Sequence, residues 1–128
     1  MKKHILLLDT NKENLTLFMK ALDEMSVAVK CTYTDSHTHA AQMLEYLLPD
    51  GIFVHLDPDI TDNLEFVRLV KKKKTLHNIP VTVYADQMPY YNFLARGHGA
   101  DQCIVSPLNL ETIKQALETI IHRDPTVA

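Results

Sequence analysis

Short continuous apolar runs alternate along the chain with segments whose apolar residues recur every three or four positions. The run HILLL at residues 4–8 stops at Asp9, as a strand buried on both faces of a parallel sheet stops at a turn. The next segment has the apolar stripe of an amphipathic helix. That stripe consists of Leu15, Phe18, Leu22 and Met25. This pair of patterns predicts a β-strand followed by an α-helix.

The same pair of patterns occurs four more times. Further strands are predicted at residues 27–33, 51–56, 79–85 and 101–106. The helices after them are predicted from the stripes Ala40, Met43, Leu44 and Leu47, then Leu64, Val67 and Val70, then a short helix near 91–96, and finally Leu110, Ile113, Leu117 and Ile120. Polar residues at 34–36 and Asn109 are suited to cap helix amino ends. Five successive βα units predict right-handed crossovers and an open parallel sheet with helices on both faces.

The residues at the predicted strand ends are the candidates for a functional site. In open α/β sheets, sites form beyond the carboxyl ends of the strands, next to the point where strand order reverses. The candidates are residues 9–11 after strand one, 55–59 after strand three, Ala85 and Asp86 after strand four, and Ser106 after strand five. Among them, His55 is unusual because it interrupts an otherwise apolar strand.

Five segments, in this order, resemble the receiver domain of two-component response regulators, the CheY-like fold, over almost the full length. They are ILLLDTNKENL (5–15), PDGIFVHLDPD (49–59), NLEFVR (63–68), NIPVTVYAD (78–86) and GADQCIVSPLNLETI (99–113). The resemblance implies a single domain over residues 1–128. Its fold would be α/β, a doubly wound five-stranded parallel sheet of flavodoxin-like strand order 2-1-3-4-5 in a three-layer sandwich. It also implies that Cys31 and Cys103 lie on opposite sheet edges, too far apart for a disulfide.

Receivers take a phosphoryl group from a histidine kinase onto an aspartate at the end of strand three. An acidic pair after strand one holds Mg²⁺, and a Ser or Thr after strand four and a Lys after strand five bind the phosphoryl oxygens. Matched by position, the acceptor is His55 and the acidic pair is Asp9 and Thr10. The backbone carbonyl of the metal site is that of Asp57, and the Ser or Thr position is Ala85. Ser106 stands at the Lys position, and the proline after it is Pro107. Four parts of the phosphorylation apparatus are therefore replaced.

These replacements argue against the family's usual chemistry. Imidazole cannot form an acyl phosphate, and neither the lysine nor the hydroxyl that would neutralise the transferring group is present. Mg²⁺ prefers octahedral oxygen ligands, so it is expected to bind poorly where carboxylates are replaced by His55 and Thr10. We therefore expect no enzymatic activity and no cofactor.

The expected function is that of a degenerate receiver, or pseudo-receiver, which acts as a phosphorylation-independent protein-interaction module in signal transduction. An alternative is an atypical phosphoryl-accepting or metal-binding switch centred on His55, Asp9 and Asp57, with the two aspartates as metal candidates. His55 itself has two interpretations: it only packs and hydrogen-bonds, with Asp9 as a partner, or its protonated form pairs with Asp9 and fixes the domain in one state. A small-ligand pocket is a third class, based on the fold alone.

Composition and charge narrow the class of partner. The chain has 128 residues, 46% of them apolar, which suffices for one domain with its own core. A net charge of −3 supplies no global field that would attract nucleic acid or an anionic membrane. No apolar run is long enough to cross a bilayer, so a cytoplasmic location without membrane contact is expected.

A protein partner remains, such as a sensor histidine kinase or a signalling output protein. In receivers, the face made by the fourth helix, the fifth strand and the fifth helix is the usual interaction surface. The residues predicted on it are Tyr90, Tyr91 and Cys103. A homodimer through the same face is a further alternative. The lysines at 71–74 fit a solvated helix end, with an acidic docking partner as the other interpretation. The chain ends about one turn after the last predicted helix, so output is expected to pass through contacts with another protein.

Overall fold

Five parallel strands form a single sheet in the computed structural model, which describes residues 3–56, 62–85, 94–104 and 108–121. The strands are β1 (Lys3–Leu8), β2 (Val29–Thr34), β3 (Gly51–His55), β4 (Val81–Tyr84) and β5 (Gln102–Ile104). Their order across the sheet is β2-β1-β3-β4-β5. The predicted doubly wound topology is confirmed. Because β1 lies between β2 and β3, the strand order reverses between β1 and β3, and this places the candidate site beyond their carboxyl ends.

Four helices are bounded within the described residues: α1 (Lys12–Asp23), α2 (His37–Met43), α3 (Asp62–Lys72) and α4 (Leu110–Ile121). Residues 94–97 are also helical. Side chains cap three of the amino ends: Asn11 accepts from the N–H of Glu13, Ser36 from that of His39, and Asn109 from that of Thr112. The capping predicted for Asn109 is thus confirmed.

The second helix is shorter than its apolar stripe predicts. The pattern extends to Leu47, whereas α2 ends at Met43. The next N–H groups, those of Glu45 and Tyr46, bond the carbonyls three residues earlier, at Gln42 and Met43. Such bonds tighten the chain into turns. Leu47 is still partly buried, so its place in the stripe reflects packing rather than a continued helix.

Alternate residues of the central strands feed two separate cores. In β1, Leu6 and Leu8 face a core with α2 and α3, while Ile5 and Leu7 face one with α1 and α4. This explains why both central strands are continuous apolar runs. Gly51 at the start of β3 lets α4 approach closely, because a Cβ there would lie 2.6 Å from Cδ1 of Ile120.

The two cysteines lie on the sheet edges that the resemblance to receivers implies for them. Cys31 lies in β2 and Cys103 in β5, on opposite edges, and both are free thiols.

The last two strands are shorter in the structure than the predicted ranges 79–85 and 101–106. The strand β4 begins after Pro80, which has no N–H to donate. The strand β5 ends at Ile104, and residues 105–107 lie outside the described part. Among the helices described, none has the length and apolarity needed to cross a bilayer.

Candidate functional site

Asp9 and His55 meet at the point where the strand order reverses. Leu8 of β1 pairs in register with Val54 of β3, so the next residue of each strand lies at the same sheet edge. Nδ1 of His55 lies 3.6 Å from Oδ1 of Asp9. This is within ion-pair distance but longer than a direct hydrogen bond. The structure brings the two side chains together without a hydrogen bond between them, and their contact is charged only when the imidazole is protonated.

The carboxylate of Asp9 is fully buried and receives three hydrogen bonds. The backbone N–H of Asn11 donates to Oδ1 over 2.8 Å, and the side-chain amide of Asn14 donates to Oδ2 over 2.9 Å. The hydroxyl of Tyr84 also donates to Oδ2, over 2.7 Å. A buried carboxylate without partners would be costly, and these donors offset that cost. Both oxygens of Asp9 are therefore engaged by the protein itself.

Tyr84 brings β4 into this cluster. Its side chain is 2% exposed and packs against Phe18, with ring centroids 5.5 Å apart. Burial, reinforced by the charge of Asp9 and by the hydrogen bond to it, raises the pKa of Tyr84 well above its usual value. The phenol consequently stays protonated and remains a donor to Asp9 at neutral pH.

His55 is held on two sides. Its ring lies against that of Tyr84, its register partner in β4, with centroids 5.3 Å apart. Its carbonyl accepts a 2.8 Å hydrogen bond from the side-chain amide of Asn63, a buried residue in the first turn of α3. The side chain of His55 is only 15% exposed. His55 thus has a packed imidazole and a backbone carbonyl tied to α3.

The other positions singled out in the sequence have separate locations. Thr10 is exposed, directly after Asp9. Ala85 and Cys103 are partly buried and pack against the core shared with α2 and α3. The singled-out positions that lie outside the described residues are Asp57, Pro58, Asp59, Asp86, Tyr90, Tyr91, Ser106 and Pro107.

Two members of the cluster, Tyr84 and Asn14, were not among the residues singled out in the sequence. The pattern of apolar and polar positions treats Tyr84 as an apolar member of a buried strand and Asn14 as a residue at the start of a helix. A signal was available for Tyr84, because a buried tyrosine hydroxyl almost always needs a polar partner. The identity of that partner depends on the packing of β4 beside β3, which only the tertiary structure supplies.

The groups around Asp9 are a poor match for Mg²⁺. The ion requires several oxygen ligands in octahedral geometry. Here the carboxylate of Asp9 is already hydrogen-bonded on both oxygens, its neighbour His55 is an imidazole, and Thr10 offers only a hydroxyl. Within the described residues, no group of three or more His, Cys, Asp or Glu side chains is placed to hold a metal. The buried side-chain polar atoms of that part of the chain all have partners.

Comparison with solved structures identifies the architecture. The phosphorylated cyanobacterial phytochrome response regulator RcpA superposes with a TM-score of 0.79 at 23% identity, over 94% of this chain and 91% of that one. This chain has the fold of a response-regulator receiver domain. The receiver fold recurs in the chemotaxis response regulator CheY4 of Vibrio cholerae, with a TM-score of 0.76 at 19% identity, over 94% of this chain and 99% of that one. A response regulator from Thermotoga maritima gives 0.79 at 15% identity, over 96% and 100%.

The likeness to these receivers is one of fold. No protein-family profile and no curated protein matches the sequence. At 23% identity or less, shared architecture does not carry the chemistry of the site with it. What happens at Asp9 and His55 therefore has to be argued from their own surroundings.

Proposed function

We propose that this chain is a pseudo-receiver of two-component signal transduction, a protein-interaction module that works without aspartyl phosphorylation. The observation that supports this most directly is the imidazole of His55 at the acceptor position, beside an Asp9 carboxylate already satisfied by three donors. In this proposal the chain is not an enzyme and Mg²⁺ binds it poorly. It acts in the cytoplasm, with a sensor histidine kinase or an output protein as its partner.

The chemistry of phosphoryl transfer supports the proposal. Catalysis of this reaction depends on positioning the group and neutralising the charge on its oxygens. RcpA, which shares the fold, is known in a phosphorylated form. In this chain the acceptor position offers a ring nitrogen in place of a carboxylate, and Ala85 has no hydroxyl for a phosphoryl oxygen.

The hydrogen bonds of Asp9 suggest how such a domain keeps one conformation without a phosphoryl group. Asn14 belongs to α1, Tyr84 to β4 and Asp9 follows β1, so a single carboxylate links three elements. A partner that prefers this arrangement would be bound by a domain that already adopts it. Binding then needs no covalent switch, because any ligand with a preference for one state biases the equilibrium.

The test is the intact mass of the protein after incubation with acetyl phosphate and Mg²⁺. The natural chain is compared with a restored variant carrying Thr10→Asp, His55→Asp, Ala85→Thr and Ser106→Lys, with and without Tyr84→Phe to release Asp9. We expect the natural chain to gain no phosphoryl group and the restored variant with Tyr84→Phe to gain one. A phosphoryl group on the natural chain, at His55 or Asp57, would contradict the proposal and favour the switch centred on His55, Asp9 and Asp57.

A further inference from the structure

A cavity of about 440 Å³ lies on the α2–α3 side of the sheet, far from Asp9. It is formed by the last turns of α3, with Arg68, Lys71 and Lys72, and by residues 96–99. Because α3 follows β3 and runs back along the sheet, this cavity is at the amino ends of the strands. Its volume falls within the range of ordinary ligand sites, about 300 to 1,000 Å³. It is a concave surface whose lining shares no residue with the candidate site described above.

The wall of the cavity is fixed by Lys71. Its ammonium group donates to the carbonyls of Ile79, over 2.7 Å, and His77, over 3.1 Å, and forms a salt bridge with Asp101. Gly99 lies against the stem of this lysine: a Cβ there would be 2.9 Å from Cγ of Lys71, and the φ angle of 105° is one that favours glycine. Lys71 thus joins α3 to the chain segments before β4 and β5, and its charge is already neutralised.

Besides Lys71, the cavity is lined by Arg96 and by two cations of α3, Arg68 and Lys72. They are four residues apart on α3, so they lie on the same helix face one turn from each other. Both are exposed, and neither forms a salt bridge with a described residue. Of the described residues that line the cavity, none carries a carboxylate. Lys73 and Lys74, exposed directly after α3, extend the positive surface beyond the cavity.

The chemistry of the lining favours acidic protein over nucleic acid. Proteins that bind single-stranded nucleic acid combine a basic groove with aromatic side chains on which bases stack. The described lining residues include no aromatic ring other than the imidazole of His98, and this group lies 3.7 Å from a carboxylate oxygen of Glu65. The net charge of −3 also opposes the long-range attraction of a polyanion. A short acidic segment needs only the local charges, since these act within about one Debye length, roughly 8 to 10 Å.

We propose that this cavity docks an acidic segment of a partner protein, whose carboxylates pair with Arg68 and Lys72. The inference rests on the proposed function as an interaction module and adds the chemistry of the partner. The guanidinium of Arg68 is suited to a bidentate contact with a carboxylate, and Lys72 adds a second cation one turn further along α3.

Binding of a fluorescent oligoglutamate peptide, followed by anisotropy at low salt, tests the proposal. Replacing Arg68 and Lys72 together with glutamine should weaken binding about tenfold, because two exposed ion pairs with the peptide are lost. The control is Lys12→Gln with Lys20→Gln on α1, an equal charge change at exposed positions on the opposite face, which should leave binding unchanged. Unchanged thermal unfolding of all variants shows that the fold is intact.

Gly97 offers an independent variant pair. A Cβ at this position has no heavy atom within 4 Å, so a side chain can be added at the cavity without a clash. Gly97→Glu places a carboxylate at the wall of the cavity and should weaken binding of the peptide. The uncharged Gly97→Gln should weaken this binding much less. Such a difference between side chains of equal size would support the role of charge.

Three results would overturn the proposal. One is the absence of peptide binding at low salt, and another is equal weakening by the α1 control. The third is tighter binding of an oligonucleotide of equal charge than of the peptide, with that binding lost in the same variants. This result would indicate a nucleic-acid site. None of these results alters the phosphorylation experiment, so failure of this inference is distinguishable from failure of the proposed function.

Discussion

The hydroxyl of Tyr84 donates a hydrogen bond to a carboxylate oxygen of Asp9, 75 residues earlier in the chain. Both groups are buried. Asp9 follows β1 and Tyr84 belongs to β4, and β3 lies between these two strands in the sheet. The bond therefore spans the middle of the sheet at its carboxyl edge. It engages Oδ2 of Asp9, which also accepts a hydrogen bond from Asn14.

Tyr84→Phe should lower the free energy of unfolding by about 2 kcal/mol, because it removes a hydrogen bond to a buried charged acceptor. Urea denaturation at neutral pH measures the change. Tyr46→Phe is the matched control, since Tyr46 is 79% exposed and the same atom is deleted there at little cost. Equal effects of the two variants would show that the bond to Asp9 contributes nothing.

The stability of the protein should fall at alkaline pH partly through Tyr84. The pKa of Tyr84 is higher in the folded state than in the unfolded state, where it is about 10. The protonated phenol therefore contributes its full stabilisation below about pH 10, and this stabilisation is lost as the pH rises through the pKa of the folded state. Denaturation midpoints measured between neutral pH and pH values above 10 would show this loss. Tyr84→Phe should flatten the decline, and an identical decline in the variant would contradict the assignment.

The two free thiols should react slowly and at different rates. Burial raises the pKa of the Cys31 thiol to about 11, while the pKa of Cys103 is raised by burial and lowered in part by the charge of Arg96. Because the thiolate is the reactive form, Cys103 should react faster than Cys31 with a disulfide reagent at mildly alkaline pH. The variants Cys31→Ser and Cys103→Ser assign the two phases. Faster labelling of Cys31 would be inconsistent with the structure.

Gly51→Ala should destabilise the domain by about 1 to 3 kcal/mol, because the new methyl group would press on three atoms of Ile120 in α4. Adding Ile120→Val removes the nearest of them and should restore part of the loss. Gly97→Ala is the control: it meets open space in a helical segment and should be neutral or slightly stabilising. Denaturant midpoints of the four proteins give the comparison, and a neutral Gly51→Ala would show that α4 moves freely.

Much of the architecture could be predicted from the sequence because it depends on local pattern. Continuous apolar runs such as HILLL mark strands buried on both faces, and their spacing implies the helices between them. The closeness of Asp9 and His55 followed from the strand order that the resemblance to receivers implies. The boundaries were harder, as the end of α2 shows, because a helix and a series of turns can bury the same apolar residues.

What pattern could not supply was the set of donors to Asp9. Asn14 and Tyr84 reach it through the packing of α1 and β4 against the central strands. No period in the sequence encodes that convergence, because it joins residues of unrelated segments. The same holds for Lys71, whose bonds to the segments before β4 and β5 make it a structural cation within a run of surface lysines.

The three donors on Asp9 also make the effect of a substitution at this sheet edge depend on its neighbours. Exchanging Thr10, His55, Ala85 and Ser106 for the residues typical of receivers would still leave this carboxylate engaged by Tyr84 and Asn14. Those exchanges are expected to bring little gain in metal binding until Tyr84 also changes. Substitutions that depend on one another in this way are not additive. A single substitution beside Asp9 is therefore expected to change the site less than the same substitution made together with Tyr84→Phe.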